Sequence, residues 1–255
     1  MIVNGTPLRL LRAGKGAPLL LIRGDDASEG WRDYMEKLAE SFDVIAPEHP
    51  GFGNTAKPEW LDGVADIAMF YLDVIDALNL DGVRLVGLGL GGWIASEMAL
   101  RDKGRIASLA LADAAGIYLA DALGQDLFLL GEEDGIKAKF ADPAKGAAEL
   151  AYKLTPETED TRIANQMVIA QLAWQPRWHD PAIGKWAHRI RVPTLIVWGE
   201  KDALFPIAHA HAWQKLIGGS KLEIMAGCGH VPYLENPAGF AALVTKFMQT
   251  ERAAA

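Results

Sequence analysis

The chain has 255 residues, half of them hydrophobic, and a formal net charge of −8. This length fits one α/β domain with a sizeable core, and the acidity argues against nucleic acid or an anionic membrane as a partner. The single cysteine, Cys228, excludes an internal disulfide. The first residues lack a basic region followed by a long apolar core, so we expect no signal peptide and a cytoplasmic protein.

Strand and helix patterns alternate along most of the chain. Short apolar runs between turn residues predict strands at Leu8–Leu11, Pro18–Ile22, Phe42–Ala46, Val83–Val86, Ile106–Ala112, Pro193–Trp198 and Lys221–Met225. Helical spacing of apolar residues predicts helices at Trp31–Ser41, Leu61–Leu78, from the glycine run to near Arg101, Pro206–Leu216 and Pro237–Gln249. This order predicts a mostly parallel, doubly wound sheet with helices on both faces.

The stretch from Asp113 to Arg189 interrupts this alternation. It contains helical segments and no convincing strand pattern. We expect residues 114–189 to form a helical cap above the carboxyl ends of the strands, where α/β proteins hold their sites. Residues 1–113 and 190–255 would then form the core.

A glycine-rich turn, G-L-G-L-G-G, joins one predicted strand to the next helix. In a nucleophile elbow, G-x-S-x-G, such a turn lifts a serine above the sheet. Gly87 and Gly91 match that pattern, and Gly89 stands at the nucleophile position. The turn also matches the dinucleotide fingerprint G-x-G-x-x-G through Gly87, Gly89 and Gly92, with Asp113 as a ribose-binding acid roughly 20 residues later.

Two later residues favour the elbow interpretation. Asp202 follows a predicted strand in G-E-K-D, and His230 follows the last predicted strand in G-C-G-H. Turn, acid and histidine therefore come in the chain order of an α/β-hydrolase triad. The dinucleotide interpretation leaves both residues unexplained and needs βαβ units where the helical stretch lies, so it is a remote alternative.

The chain as a whole resembles the α/β-hydrolase superfamily. The R-G after the second strand, P-G-F-G, the glycine elbow, the cap, G-E-K-D and G-C-G-H-V-P-Y-L-E-N-P fall in matching order. The chain looks most like the small capped bacterial members, which are esterases, carbon–carbon bond hydrolases of ring-cleavage products, epoxide hydrolases and dehalogenases. The resemblance implies that His230 is the general base and Asp202 its orienter. It also implies an oxyanion hole made by the backbone N–H groups of Asp25 and Leu90, with Asp113 as a fallback acid.

Gly89 departs from this family at the decisive position. A residue without a side chain cannot form the covalent intermediate. Three interpretations remain open: a hydrolase whose nucleophile was replaced by mutagenesis, a non-catalytic small-molecule binder on the same fold, or a hydrolase in which Asp202 and His230 activate water. The substrate class would be a small, largely apolar ester, carbon–carbon diketone, epoxide or halide.

Two more expectations concern the surroundings of the site. Arg23 stands where the family usually has histidine, and we expect it to form an ion pair with one of three carboxylates, Asp25, Asp26 or Glu48. We expect an apolar pocket, with four tryptophans as candidate linings, Trp31, Trp93, Trp174 and Trp178; such residues also commonly attach a cap to its sheet. We expect no metal, no organic cofactor, and a monomer or homodimer.

Overall fold

A seven-stranded sheet forms the centre of the computed structural model, which describes residues 1–53 and 55–250. The strands are β1 (Ile2–Val3), β2 (Thr6–Pro7), β3 (Leu10–Ala13), β4 (Ala17–Ile22), β5 (Phe42–Pro47), β6 (Val83–Leu88), β7 (Ile106–Ala112), β8 (Thr194–Gly199) and β9 (Lys221–Met225). The central sheet has the order β3-β5-β4-β6-β7-β8-β9, in which β3 pairs antiparallel with β5 and the other neighbours are parallel.

Helices cover both faces of this sheet. They are α1 (Asp33–Ala39), α2 (Val64–Ala77), α3 (Leu90–Arg101), α4 (Glu132–Ala138), α5 (Pro143–Lys153), α6 (Glu159–Ala173), α7 (Pro181–Trp186), α8 (Ala208–Leu216), α9 (Pro232–Glu235) and α10 (Pro237–Thr250). The predicted mostly parallel, doubly wound α/β fold is confirmed. Within the described residues, no helix combines the length and the hydropathy needed to cross a lipid bilayer.

The sheet has an apolar layer on each face because side chains alternate along its strands. On β4, Leu20 and Ile22 join the cluster under α2, α3 and α8, whereas Leu19 and Leu21 join the cluster under α1 and α10. All four side chains are fully buried. This two-sided burial explains why β4 is a continuous apolar run rather than an alternating one.

The first two strands form a hairpin that our sequence prediction missed. The turn consists of Asn4 and Gly5, both with positive φ. Asn-Gly is a strong signal for a two-residue hairpin turn, so the signal was present in the sequence. The strands on either side have only two residues each, which is too short for an apolar pattern.

The segment between β7 and β8, here called the helical insert, contains α4 to α7 and, in its described residues, no strand longer than an isolated bridge. It is attached to loops at the carboxyl ends of the strands. Asn165 on α6 accepts the N–H of Gly53 at 2.8 Å and donates to the Ser28 hydroxyl at 2.8 Å. The division into a core and a cap at residues 113 and 189 stays a prediction.

Candidate active site

Gly89 occupies the sharp turn between β6 and α3. Its backbone has φ of 53° and ψ of −117°, a conformation that residues with a side chain rarely adopt. A Cβ at this position would lie 3.4 Å from Nε2 of His230. The space between the turn and the imidazole is therefore about one atom deep, which is too shallow for a pyrophosphate. This geometry argues against the dinucleotide interpretation.

The neighbouring glycines allow strand and helix to pack closely. A Cβ on Gly91 would lie 2.1 Å from the carbonyl oxygen of Ile22, and one on Gly87 would lie 2.5 Å from the carbonyl oxygen of Gly91. Both contacts are too short for any side chain. The glycine run thus brings α3 against β4 and β6, and this packing accounts for the fingerprint spacing without a nucleotide.

Asp202 and His230 meet opposite this turn, from the loops that follow β8 and β9. Nδ1 of His230 lies 3.0 Å from Oδ2 of Asp202, and both residues are buried. The other Asp202 oxygen accepts the N–H groups of Leu204 at 2.8 Å and Phe205 at 3.0 Å. The carboxylate is thereby held in place. With the Nδ1 proton directed to Asp202, Nε2 faces Gly89 and has no hydrogen-bond partner among the described residues.

Asp113 lies beside this pair at the end of β7. Its backbone is left-handed, with φ of 45°, and its side chain is fully buried. Oδ1 accepts the N–H of Gly199 at 2.8 Å. Burial, and next the charge of Asp202, raise the pKa of Asp113 well above its usual range. The His230 ring is bonded to Asp202 rather than to Asp113, so the structure does not use the fallback acid as the orienter.

The expected oxyanion donors line the same pocket. Asp25, Leu90, Gly89 and His230 all border it. Within residues 1–53 and 55–250, neither the Asp25 N–H nor the Leu90 N–H donates to a protein acceptor. Unpaired N–H groups beside a base are the arrangement that stabilises a developing oxyanion.

A lysine of the helical insert, Lys139, was not predicted and also borders the pocket. Its ammonium donates to the carboxylate of Asp25, and Lys153 lies 4.0 Å from the same carboxylate. Burial raises the pKa of Asp25, but Lys139 and then Lys153 outweigh it and hold that pKa well below its usual range. The negative charge of Asp25 is therefore neutralised next to the oxyanion donors.

The predicted ion pair of Arg23 is wrong. The Arg23 guanidinium is 1% exposed and donates to the backbone carbonyls of Ala27, Glu29 and Gly30. The carbonyl of Arg23 in turn accepts a hydrogen bond from the His49 ring at 2.9 Å. Arg23 organises the loop that carries Asp25 through backbone oxygens, which have no signature in the sequence.

One of the four candidate tryptophans borders the pocket. Trp178 lines it together with Leu127, Ile169 and Phe205. The other three lie outside this lining. Trp31 donates to Glu36 at the surface, Trp93 is buried against Gly116, and Trp174 is 48% exposed with Arg177 over its ring.

The sequence model of the alpha/beta hydrolase fold matches residues 18–237. The chain therefore belongs to the α/β-hydrolase fold family, which confirms the resemblance. It is 30% identical over 262 residues to 2-hydroxy-6-oxo-6-(2'-aminophenyl)hexa-2,4-dienoic acid hydrolase of Metapseudomonas resinovorans, covering 96% of this chain and 88% of that protein. It is also 30% identical to 2-hydroxy-6-oxo-2,4-heptadienoate hydrolase of Pseudomonas putida, covering 98% and 96% of the two chains.

Solved structures agree with this assignment. A serine hydrolase involved in carbazole degradation superposes with a TM-score of 0.76 at 28% identity, covering 97% of both chains. A membrane phospholipase A superposes with a TM-score of 0.83 at 24% identity, covering 99% of this chain and 85% of the other. The second likeness shows the shared fold alone.

Proposed function

We propose that this protein is a small-molecule hydrolase in which His230 and Asp202 activate water directly, without a covalent intermediate. The observation that carries the proposal is the free Nε2 of His230, which faces a nucleophile position occupied by glycine, 3.4 Å from where a Cβ would lie. A water in that space is within reach of the base. The intact His–Asp pair also favours catalysis over simple ligand binding, because a binder needs no oriented base.

The proposed reaction has two steps, attack of this water on the substrate and collapse of the resulting tetrahedral intermediate. His230 removes a proton from the water as its oxygen attacks a carbonyl carbon, and Asp202 stabilises the imidazolium. The N–H groups of Asp25 and Leu90 bind the oxyanion of the tetrahedral intermediate. The intermediate then collapses, and the imidazolium returns the proton to the leaving alcohol or carbon atom.

The favoured substrates are small, largely apolar esters or diketones with a carbon–carbon bond next to a carbonyl. The apolar side chains that line the pocket support this class, because sites for such ligands are mostly hydrophobic. Two oxyanion donors stabilise a carbonyl-derived oxygen, which an epoxide or an alkyl halide does not supply at that position. The named relatives that cleave 2-hydroxy-6-oxo-dienoates support the diketone class.

The test uses the unaltered protein with a p-nitrophenyl ester and with a 2-hydroxy-6-oxo-dienoate. We expect multiple turnovers without a covalent adduct, and a loss of about 100-fold or more in His230→Asn, since general base catalysis contributes about that factor. His211→Asn, an exposed histidine on α8, serves as the matched control. Saturable binding without turnover would favour the non-catalytic binder, and turnover that survives His230→Asn would exclude this mechanism.

A further inference from the structure

Asp113 is a buried carboxyl group to which the proposed hydrolysis gives no role. Its left-handed backbone is a conformation that Asp and Asn adopt more readily than most other residues with a side chain. The conformation directs Oδ1 to the N–H of Gly199, the last residue of β8. Asp113 therefore lies against the segment that leads to Asp202.

The second carboxyl oxygen of Asp113, Oδ2, is buried and accepts no hydrogen bond from any described residue. Single side-chain atoms of Asp113, Asp202 and His230 lie within 4.8 Å of one another. Two ionised carboxylates in such a buried place repel each other, so one of them holds a proton.

The hydrogen bonds decide which carboxyl group holds the proton. The Asp202 carboxylate accepts from the His230 ring and from two backbone N–H groups, whereas Asp113 accepts only from Gly199 among the described residues. Hydrogen bonds to a carboxylate favour its charged form. The charge therefore resides on Asp202 and the proton on Asp113.

We propose that Asp113 is a positioning residue that remains protonated at neutral pH and donates its carboxyl O–H to the Asp202 carboxylate. The two carboxyl groups then share a single negative charge, and a further donor orients Asp202 towards His230. Asp113 acts through Asp202 and has no contact with the pocket. The use of this arrangement in catalysis rests on the proposed function, but the protonation state does not.

Among the described residues, three other titratable groups face these carboxyl groups, and none supplies a counter-charge. Burial raises the pKa of the Tyr233 hydroxyl well above its usual range, so this group remains neutral. Burial raises the pKa of the Cys228 thiol near Asp113, so this group remains neutral. Burial lowers the pKa of His209 on α8, which faces Asp202. Because these groups are uncharged, the proton shared by Asp113 and Asp202 remains on the two carboxyl groups.

Infrared spectroscopy with carbon-13 in the aspartate carboxyl groups tests the protonation state directly. We expect the unaltered protein at neutral pH to show the carbonyl band of one protonated carboxylic acid, and Asp113→Asn to lack it. Ser108→Ala, which removes another buried, unpartnered oxygen on the same strand, should keep the band. Absence of the band from the unaltered protein would overturn the proposal.

A titration of the His230 ring by nuclear magnetic resonance provides the second measurement. Asp113→Asn retains an oxygen for the Gly199 N–H and an amide donor for Asp202, so the midpoint should move by less than about half a pH unit. If Asp113 were ionised, removal of its charge about 5 Å away would lower the midpoint by about two pH units. A shift of that size would refute the proposal.

Neither measurement needs a substrate, so failure of the proposed hydrolysis and failure of this inference are separable. The His230 resonance is assigned by its loss from the His230→Asn spectrum. Should Asp113→Asn not fold, the carbonyl band of the unaltered protein still decides the protonation state.

Discussion

Gly89→Ser tests whether the remaining machinery is that of a serine hydrolase. The new Cβ would lie 3.4 Å from Nε2 of His230, so the hydroxyl one bond further is within hydrogen-bonding distance of the base. We expect an acyl-enzyme adduct in mass spectra with a p-nitrophenyl ester, a burst of nitrophenol equal to the enzyme concentration, and an increase of about 100-fold or more in the first turnover.

The substitution also has a cost in stability that the backbone geometry sets. At φ of 53° a side chain is strained by about 1–3 kcal/mol, and each kcal/mol lowers the melting temperature by roughly 2–4 °C in a protein of this size. Gly89→Ala carries the same strain without the hydroxyl. It should therefore have the same melting temperature as Gly89→Ser but form no adduct. A folded Gly89→Ser protein that never acylates would refute the reasoning that base and oxyanion donors converge on this position.

Three further predictions address the surroundings of the site. Lys139→Met in the Gly89→Ser protein should slow acylation by about tenfold, because the Asp25 carboxylate then lacks its main counter-charge and repels the oxyanion. The pKa of Asp25 should rise at the same time. Glu235→Ala should lower the free energy of unfolding by about 3 kcal/mol or more, because the carboxylate accepts three backbone N–H groups. Burial lowers the pKa of His49 to about 4, so the unfolded chain takes up a proton on His49 below about pH 6.5 and the folded chain does not. Stability should therefore fall by up to about 3 kcal/mol between pH 6.5 and pH 4, and His49→Phe should lose that slope in denaturant titrations.

Each of these predictions has an exposed counterpart as its control. Lys137→Met, Glu223→Ala and His188→Phe alter side chains of the same type at the surface and should leave acylation, stability and its pH slope unchanged. Equal acylation rates with and without Lys139 would show that the charge of Asp25 has no electrostatic effect on the oxyanion. A stability change below about 1 kcal/mol in Glu235→Ala, or an unaltered slope in His49→Phe, would contradict the corresponding argument.

The sheet and the order of the site residues could be predicted because both depend on local patterns. Runs such as Leu19–Ile22 are apolar at every position since both faces of the strand are buried. Asp202 and His230 could be found because parallel strands end at one edge, so residues that follow two neighbouring strands meet there. The glycine spacing alone was ambiguous, since close packing and phosphate binding both require glycine.

The missed contacts depend on partners that are distant in sequence. Lys139 and Asp25 are separated by 114 positions, and nothing in either segment indicates the other. The sequence predicts a carboxylate partner for Arg23 because two acids, Asp25 and Asp26, follow it closely, but backbone oxygens of its own loop accept from the guanidinium instead. Trp93 and Trp178 have equal apolar character, and only the tertiary packing determines that one fills the core and the other faces the pocket.

Glu235 links two parts of the protein that have to cooperate. One of its oxygens holds the N–H groups of Ala141 and Asp142 in the helical insert, and the other holds the N–H of Gly229, next to His230. Glu235 therefore connects the helical insert to the loop that carries His230. A displacement of the insert at Ala141 and Asp142 would be transmitted to that loop, so the alignment of the imidazole depends on how the insert is seated.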